Sequence, residues 1–406
     1  TTKADQLGNW KLVLQTPVAG GPYTIKIKGK NLIILKDILI GEVWFCSGQS
    51  NMAFPLKYSD SAKKEIAKAD NPAIRYFSIK KQYGEQPFKN SQGSVWKKTS
   101  PETAPSFSSV AYYFAKKINR DLKVPVGIVY SAWGGTPAEA WTPKSVLEKD
   151  SSFQFYLRRW KEIPDRVGKD TMKYHQALSQ WEKSNSSGNT GMKKPDLPRT
   201  FYYYQRPWCE PGVLFNGMIN PVIPYTIKGI LWYQGESNVG EADNYEHLFS
   251  SMIYSWRNQW RAEGGQDVLP FYFVQIAPFG YSNLDAAARL RQAQYQVMKK
   301  VKNTGMAVTI DLGNMTNIHF THKKEVGDRL ALIALAKSYG FKNIIFKGPS
   351  CIKIIREKDH LQLNFDQQLF TIGKEPDGFE IGYKNPGSDS IIFVKAKSII
   401  KGTKVI

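Results

Sequence analysis

Cysteine, histidine and acidic residues are all scarce in this chain of 406 residues, and each scarcity removes a class of protein. The three cysteines, Cys46, Cys209 and Cys351, are far apart and odd in number, which gives neither a disulfide framework nor a metal-ligand spacing. No stretch approaches the roughly 18 to 20 uninterrupted apolar residues that a membrane-spanning helix needs. Low-complexity tracts are absent too, and a composition 42% hydrophobic and 22% charged is that of a folded globular protein, not a disordered or fibrous one. Acidic residues number 35 against 56 Lys and Arg, a net charge of +21 that would suit an anionic partner. The lysines, however, fall in scattered pairs such as Lys63 with Lys64 and Lys299 with Lys300, without a zinc-knuckle or RNA-binding signature, so no nucleic-acid partner is expected. The sequence opens on Thr1 with no apolar leader stretch, so any signal peptide is expected to have been removed or to lie outside it.

What is present divides into three parts. Residues 1–40 read as a β segment, an incomplete β-sandwich, with strands expected at 10–14, 23–28 and 32–35 between Gly-Gly-Pro and Gly turns. Residues 342–406 read the same way, with strands at 352–355, 361–365, 379–383 and 391–394. Between them, residues 41–341 alternate short apolar strands with helical periods, the pattern of parallel strands joined by crossover helices. Five core strands are expected, at 43–46, 126–130, 229–233, 271–275 and 307–310, with amphipathic helices over 245–260 and 323–339. A polar, aromatic-rich insertion at about 142–209 reads as partly helical, with a mobile loop at 184–191, placed where it can cover a site.

In an open parallel sheet the ligand sits at the carboxyl ends of the strands. Four of the five strand exits carry a polar or glycine-rich cluster: Ser47-Gly-Gln-Ser-Asn-Met52, Ser131-Ala-Trp-Gly-Gly-Thr136, Gln234-Gly-Glu-Ser-Asn238 and residues 311–322. Each alone is an ordinary turn; their joint placement carries the weight. A serine at a strand-to-helix turn presents its hydroxyl above the sheet while backbone N–H groups face a developing oxyanion, and Ser50 occupies such a position. Serine needs a base, and of the five histidines only His319 and His322 follow a core strand and precede an amphipathic helix.

Gly48-Gln-Ser-Asn51, Trp133-Gly-Gly135, Trp232-Tyr-Gln-Gly-Glu-Ser-Asn238, and Ile318-His319 followed by Lys323-Lys-Glu-Val-Gly-Asp-Arg-Leu-Ala331, together with Phe215-Asn-Gly-Met-Ile-Asn-Pro221 and Leu290-Arg-Gln-Ala-Gln294, resemble the sialate O-acetylesterase family of SGNH/GDSL hydrolases over nearly the whole chain. The resemblance implies a three-layer α/β/α core with a parallel sheet flanked by β-sandwich-like segments, no metal or other cofactor, and an exported serine esterase that removes O-acetyl groups from sialic acids. It makes Ser50 the nucleophile and His319 the general base. It draws the oxyanion hole from the N–H groups of Ser50 and Gly135 and a side-chain amide, Gln234 in preference to Asn238 because Gln234 leaves its strand directly. Gln49 and Glu236 are implied as supporting residues, Glu236 by hydrogen-bonding the nucleophile loop, and a backbone carbonyl or a neutral side chain such as Asn317 is expected to orient His319. In one respect the chain departs from the superfamily. Where an aspartate often precedes the catalytic histidine by two or three residues, this sequence has Thr316 and Asn317, so His319 is expected to work without an adjacent aspartate.

Two other readings compete. One is a deacetylase of the same superfamily acting on acetylated xylan; the net positive charge favours an anionic sialate. The other is a non-catalytic carbohydrate-binding protein, against which stand Ser50, both glycines of the Trp-Gly-Gly motif, Gln234 and His319.

Overall fold

The computed structural model describes the chain apart from residues 13, 92, 188–190, 263–267, 282–283, 372–375 and 389. It divides into two units, Thr1–Lys342 and Asn343–Ile406. The strands of the first are β1 (Gly20–Lys28), β2 (Leu32–Ile40), β3 (Glu42–Gly48), β4 (Asn71–Ser78), β5 (Trp96–Thr99), β6 (Val126–Ala132), β7 (Gly229–Tyr233), β8 (Phe271–Val274) and β9 (Thr304–Ala307). Its helices are α1 (Ser50–Ala53), α2 (Ala62–Ala67), α3 (Ser109–Leu122), α4 (Lys144–Lys149), α5 (Gln154–Ser186), α6 (Arg199–Tyr204), α7 (Ala242–Ala262), α8 (Leu284–Lys300) and α9 (Lys323–Lys337).

Seven strands form one sheet in the order β5-β4-β6-β3-β7-β8-β9, parallel except for β5, which runs antiparallel to β4 at the edge. Apolar runs cover both faces of the central strands. Trp44, Phe45 and Cys46 of β3 and every residue of β7 are buried, as parallel strands between two helical layers must be. Successive residues of a strand point to opposite faces, and β3 shows what covers each. Trp44 packs edge-on against Phe114 of α3, and α3 packs on α9. Phe45 meets Trp256 and Trp260 of α7, which packs on α8. The result is a three-layer α/β/α sandwich. Along the chain the connections run first from β3 to one side of the sheet, to β4 and back to β6, then to the other side through β7, β8 and β9. They diverge at β3, so the carboxyl edge of β3 is the place where a crevice opens between crossovers.

Several sequence expectations shift. The last core strand ends at Ala307 instead of covering 307–310; β8, its partner, ends at Val274, and Val308 and Ile310 lie on the surface. β4 and β5 carry no long apolar run and were not anticipated. The described residues of the 10–14 segment are not a strand, and β1 and β2 form an antiparallel hairpin that belongs to the first unit. The insertion holds α5, a 33-residue helix with Pro164 inside it; of the expected loop at 184–191, residues 184–186 are instead the end of α5, and residues 188–190 lie outside the described residues.

The second unit is antiparallel throughout: β10 (Cys351–Arg356), β11 (Leu361–Phe365), β14 (Ile400–Lys401) and β15 (Lys404–Val405) form one sheet, and β12 (Glu380–Lys384) with β13 (Ile391–Lys395) another.

Candidate active site

Three strand exits converge on Ser50. β3 ends at Gly48, whose φ of +140° and closeness to β7 require glycine: a Cβ there would lie 2.1 Å from the Tyr233 carbonyl oxygen. The next N–H, that of Gln49, donates to the same carbonyl at 2.9 Å, and Ser50 opens α1. From the β6 side, Trp133 N–H donates to the Gly48 carbonyl at 3.0 Å, and a Cβ on Gly134 would lie 3.3 Å from the Cβ of Ser50. The Trp133-Gly-Gly135 turn therefore lies directly against the serine. Gly135 has φ +73°, and its carbonyl accepts from the Tyr202 hydroxyl at 3.1 Å.

The side-chain amides of Gln234 and Asn238 are not free. Both are fully buried. Gln234 Nε2 donates to the Thr136 carbonyl at 3.2 Å and to Asn238 Oδ1 at 2.7 Å, so both of its protons are engaged, while its Oε1 accepts from Tyr245 at 2.9 Å. Asn238 Nδ2 donates to Glu139 Oε2 and its Oδ1 accepts from the Ala138 N–H, each at 2.9 Å. The expectation that one of these amides reaches the reacting oxygen meets a physical obstacle, because freeing either would strand buried partners. What the two side chains do hold is the backbone of residues 136–138, immediately after Gly135.

Glu139, at the base of this network, is itself buried, and desolvation with the nearby Glu241 raises its pKa against the pull of Arg159. Arg159 of α5 donates Nη2 to Glu139 Oε1 at 2.6 Å and pairs through Nη1 with Glu241, which also accepts from Arg199 at 2.9 Å. The insertion is thus fastened to the loop behind the serine. Sequence reading missed Arg159 because an arginine amid a polar helix gives no sign of a buried partner.

On the other side, Asn51 joins the Ser50 turn to the His319 loop. Its Nδ2 donates to Glu236 Oε1 at 2.5 Å and to the Ile318 carbonyl at 3.1 Å, and its Oδ1 accepts from Lys323 Nζ at 2.6 Å. Glu236 so meets the nucleophile loop through Asn51; burial raises its pKa, opposed by its backbone N–H, Asn51 and Lys323. Gln49, also buried, accepts from the Ser237 N–H at 3.4 Å.

His319 is half-buried, and burial together with the Lys323 charge lowers its pKa, which favours the neutral imidazole, the form that can accept a proton. Asn317 Oδ1 accepts from the His319 backbone N–H at 2.9 Å, so this side chain fixes the histidine's main chain, not its ring. Among the described residues no carboxylate hydrogen-bonds the His319 ring. By contrast His247 pairs with Asp150, His322 with Asp60 and His360 with Asp359.

The comparisons show that the chain with this serine, glycine turn and histidine at its strand exits is a carboxylic ester hydrolase, and they identify its kind. Residues 40–190 and 204–336 match the family model of carbohydrate esterases that are sialic acid-specific acetylesterases. The chain belongs to this family. It is 30% identical over 403 residues to the sialate O-acetylesterase of Homo sapiens, covering 92% of this chain and 69% of that protein. The Rattus norvegicus sialate O-acetylesterase is 29% identical over 405 residues, with 92% and 71% covered. The crystal structure of a carbohydrate acetylesterase from Xanthomonas citri superposes with a TM-score of 0.79 at 30% identity, covering 99% of this chain and 80% of that one.

Proposed function

We propose that this protein is an exported SGNH-type serine esterase that removes O-acetyl groups from sialic acids, with Ser50 as nucleophile and His319 as general base. The observation that carries the reading is the Asn51 bridge, which ties the turn bearing Ser50 to the Ile318 carbonyl beside His319. Ser50 Oγ adds to the acetyl carbonyl carbon while its proton passes to His319. Negative charge collects on the carbonyl oxygen, which the N–H groups of Ser50 and Gly135 stabilise; Gln234 and Asn238 serve by bracing the segment behind Gly135. Collapse breaks the bond to the sugar oxygen, which takes the proton from His319 and leaves acetyl-Ser50. Water then attacks the acetyl group, again losing its proton to His319, and acetate departs as Ser50 regains that proton. With no carboxylate on the ring among the described residues, His319 acts in a Ser-His dyad, supported by the contacts to the Ile318 carbonyl and to its own backbone N–H. Export accords with the family, and among the described residues no helix is long and apolar enough to cross a membrane.

The test sets acetate release from O-acetylated sialic acid against release from acetylated xylan, with Ser50→Ala alongside. The reading requires preference for the sialate and a fall in kcat of several orders of magnitude in the variant, since only the attacking oxygen is removed. Preference for xylan would move the protein to a different acetylated glycan, and an active Ser50→Ala would remove the mechanism.

A further inference from the structure

Among the charged groups that the mechanism so far does not use, one is buried in an apolar setting. Lys323, the first residue of α9, is fully buried, and among the described residues no carboxylate lies within ion-pair distance of its ammonium. Its Nζ sits 3.6 Å from the centroid of the Phe320 ring, 5.0 Å from that of Phe54 and 5.6 Å from that of Tyr233, an aromatic cage open to one hydrogen-bonding side chain, Asn51. A lysine in an apolar cage is costly, and a methionine or leucine of similar volume would ordinarily be more stable there. The cost needs an offsetting role.

Asn51 supplies the geometry of that role. An amide has an acceptor end and a donor end, and nothing intrinsic to Asn51 decides which faces which way. Lys323, which can only donate, fixes Oδ1 toward itself. Nδ2 is thereby turned to Glu236 and to the Ile318 carbonyl, the peptide directly before His319. We propose that Lys323 is a positioning residue of the catalytic site: through Asn51 it sets the nucleophile turn against the histidine loop, and its ammonium, held over the ring of Phe320 next in the chain to His319, opposes a second positive charge there. The inference rests on the reading of Ser50 and His319 as the catalytic pair.

The two halves of the role separate experimentally. Burial brings Lys323 itself down to about 7, with Glu236 pulling the other way, so its charge is present through the acid limb of the rate profile. Among the described residues, the titratable groups near the pair include Glu236 after β7, Tyr233 at its end, Tyr281 beside these two, and the Asp60–His322 pair where α9 begins; α1, which contributes Asn51, contributes none. Taking the ammonium away removes a like charge from His319 and must raise its pKa.

The experiment measures kcat, KM and the pH profile of acetyl-ester hydrolysis for Lys323→Met, Lys323→Gln, Asn51→Leu and Ser50→Ala, each with its melting temperature. Lys323→Met is expected to lose kcat on the order of 10- to 100-fold with KM little changed, because the reacting groups are misplaced and not the substrate. Its acid limb should move to higher pH and its melting temperature should not fall. Lys323→Gln, which keeps a donor for Asn51 without the charge, should recover most of kcat yet show the same displaced limb. Asn51→Leu should lose kcat with the limb not raised, since the ammonium remains. A Lys323→Met enzyme with an unmoved acid limb, or one whose loss of rate only follows a lowered melting temperature, would overturn the proposal; if that variant does not fold, an unmoved limb in Lys323→Gln does the same. An active Ser50→Ala overturns the catalytic reading and this proposal together, whereas an inactive one with wild-type Lys323 variants overturns this proposal alone.

Discussion

Asp311 faces Arg329, not His319: the two guanidinium nitrogens reach its two carboxylate oxygens at 2.7 and 2.5 Å in a forked pair. The nearest carboxylate upstream of the histidine is thereby committed to α9. Arg329 also holds the Asp311 pKa below the usual carboxylate range.

Asp311→Asn is therefore expected to keep most activity. The pair is half exposed, and its loss should cost about 1 kcal/mol or less. The sign of its pH dependence follows from the lowered pKa: its contribution is present above the unfolded carboxylate value and disappears as pH falls through the folded one. Melting curves of wild type and variant should converge on acidification. Inactivation as severe as that of His319→Ala, in a folded variant, would make Asp311 the triad acid.

Gln234→Ala and Asn238→Ala should each lower stability and kcat together. Every polar atom on these amides has a buried partner, so truncation leaves groups unpaired at roughly 1–3 kcal/mol. Thermal unfolding beside steady-state kinetics decides the matter. A 100-fold loss of kcat with an unchanged melting temperature would instead mean that the amide reaches the oxyanion.

Gly135→Ala should be nearly inactive, for two separable reasons. Its φ of +73° is unfavourable for alanine, and the added Cβ would meet the Tyr202 hydroxyl at 2.9 Å. Tyr202→Phe added to Gly135→Ala removes the second obstacle only, so the double variant should regain part of the activity. Full recovery would mean that the backbone conformation here is unimportant.

Asn317→Asp should shift the acid limb to higher pH. A carboxylate in this place can still accept the His319 N–H, while its charge favours the imidazolium and raises the histidine's pKa. An acid limb that stays in place would show that position 317 lies too far from the ring to influence it.

The strand exits were legible because chemistry-bearing residues follow apolar runs at Cys46, Tyr130 and Tyr233, and a parallel sheet collects such exits on one edge. The weaker outer strands were not, since β4 and β5 depend on their neighbours for burial. The place of Gln234 in the chain suggests a free donor; only the packing of Tyr245, Thr136 and Asn238 around it shows that its protons are spent. Nothing in the sequence around Lys323 signals its burial, because Phe54 and Tyr233, which enclose it, are distant in sequence.

The fastening of α5 bears on how small this enzyme can be made. Arg159 and Arg199 bring from the insertion the positive charge that Glu139 and Glu241 meet. Excising residues 150–206 to obtain a minimal catalytic domain would take both arginines away and leave Glu139 and Glu241 behind the glycine turn without them. A trimmed version would need Glu139 and Glu241 replaced in the same step, with Asn238 given a new acceptor. The segment is thus a fixed part of the catalytic scaffold, and circular permutants or fusions should leave it whole.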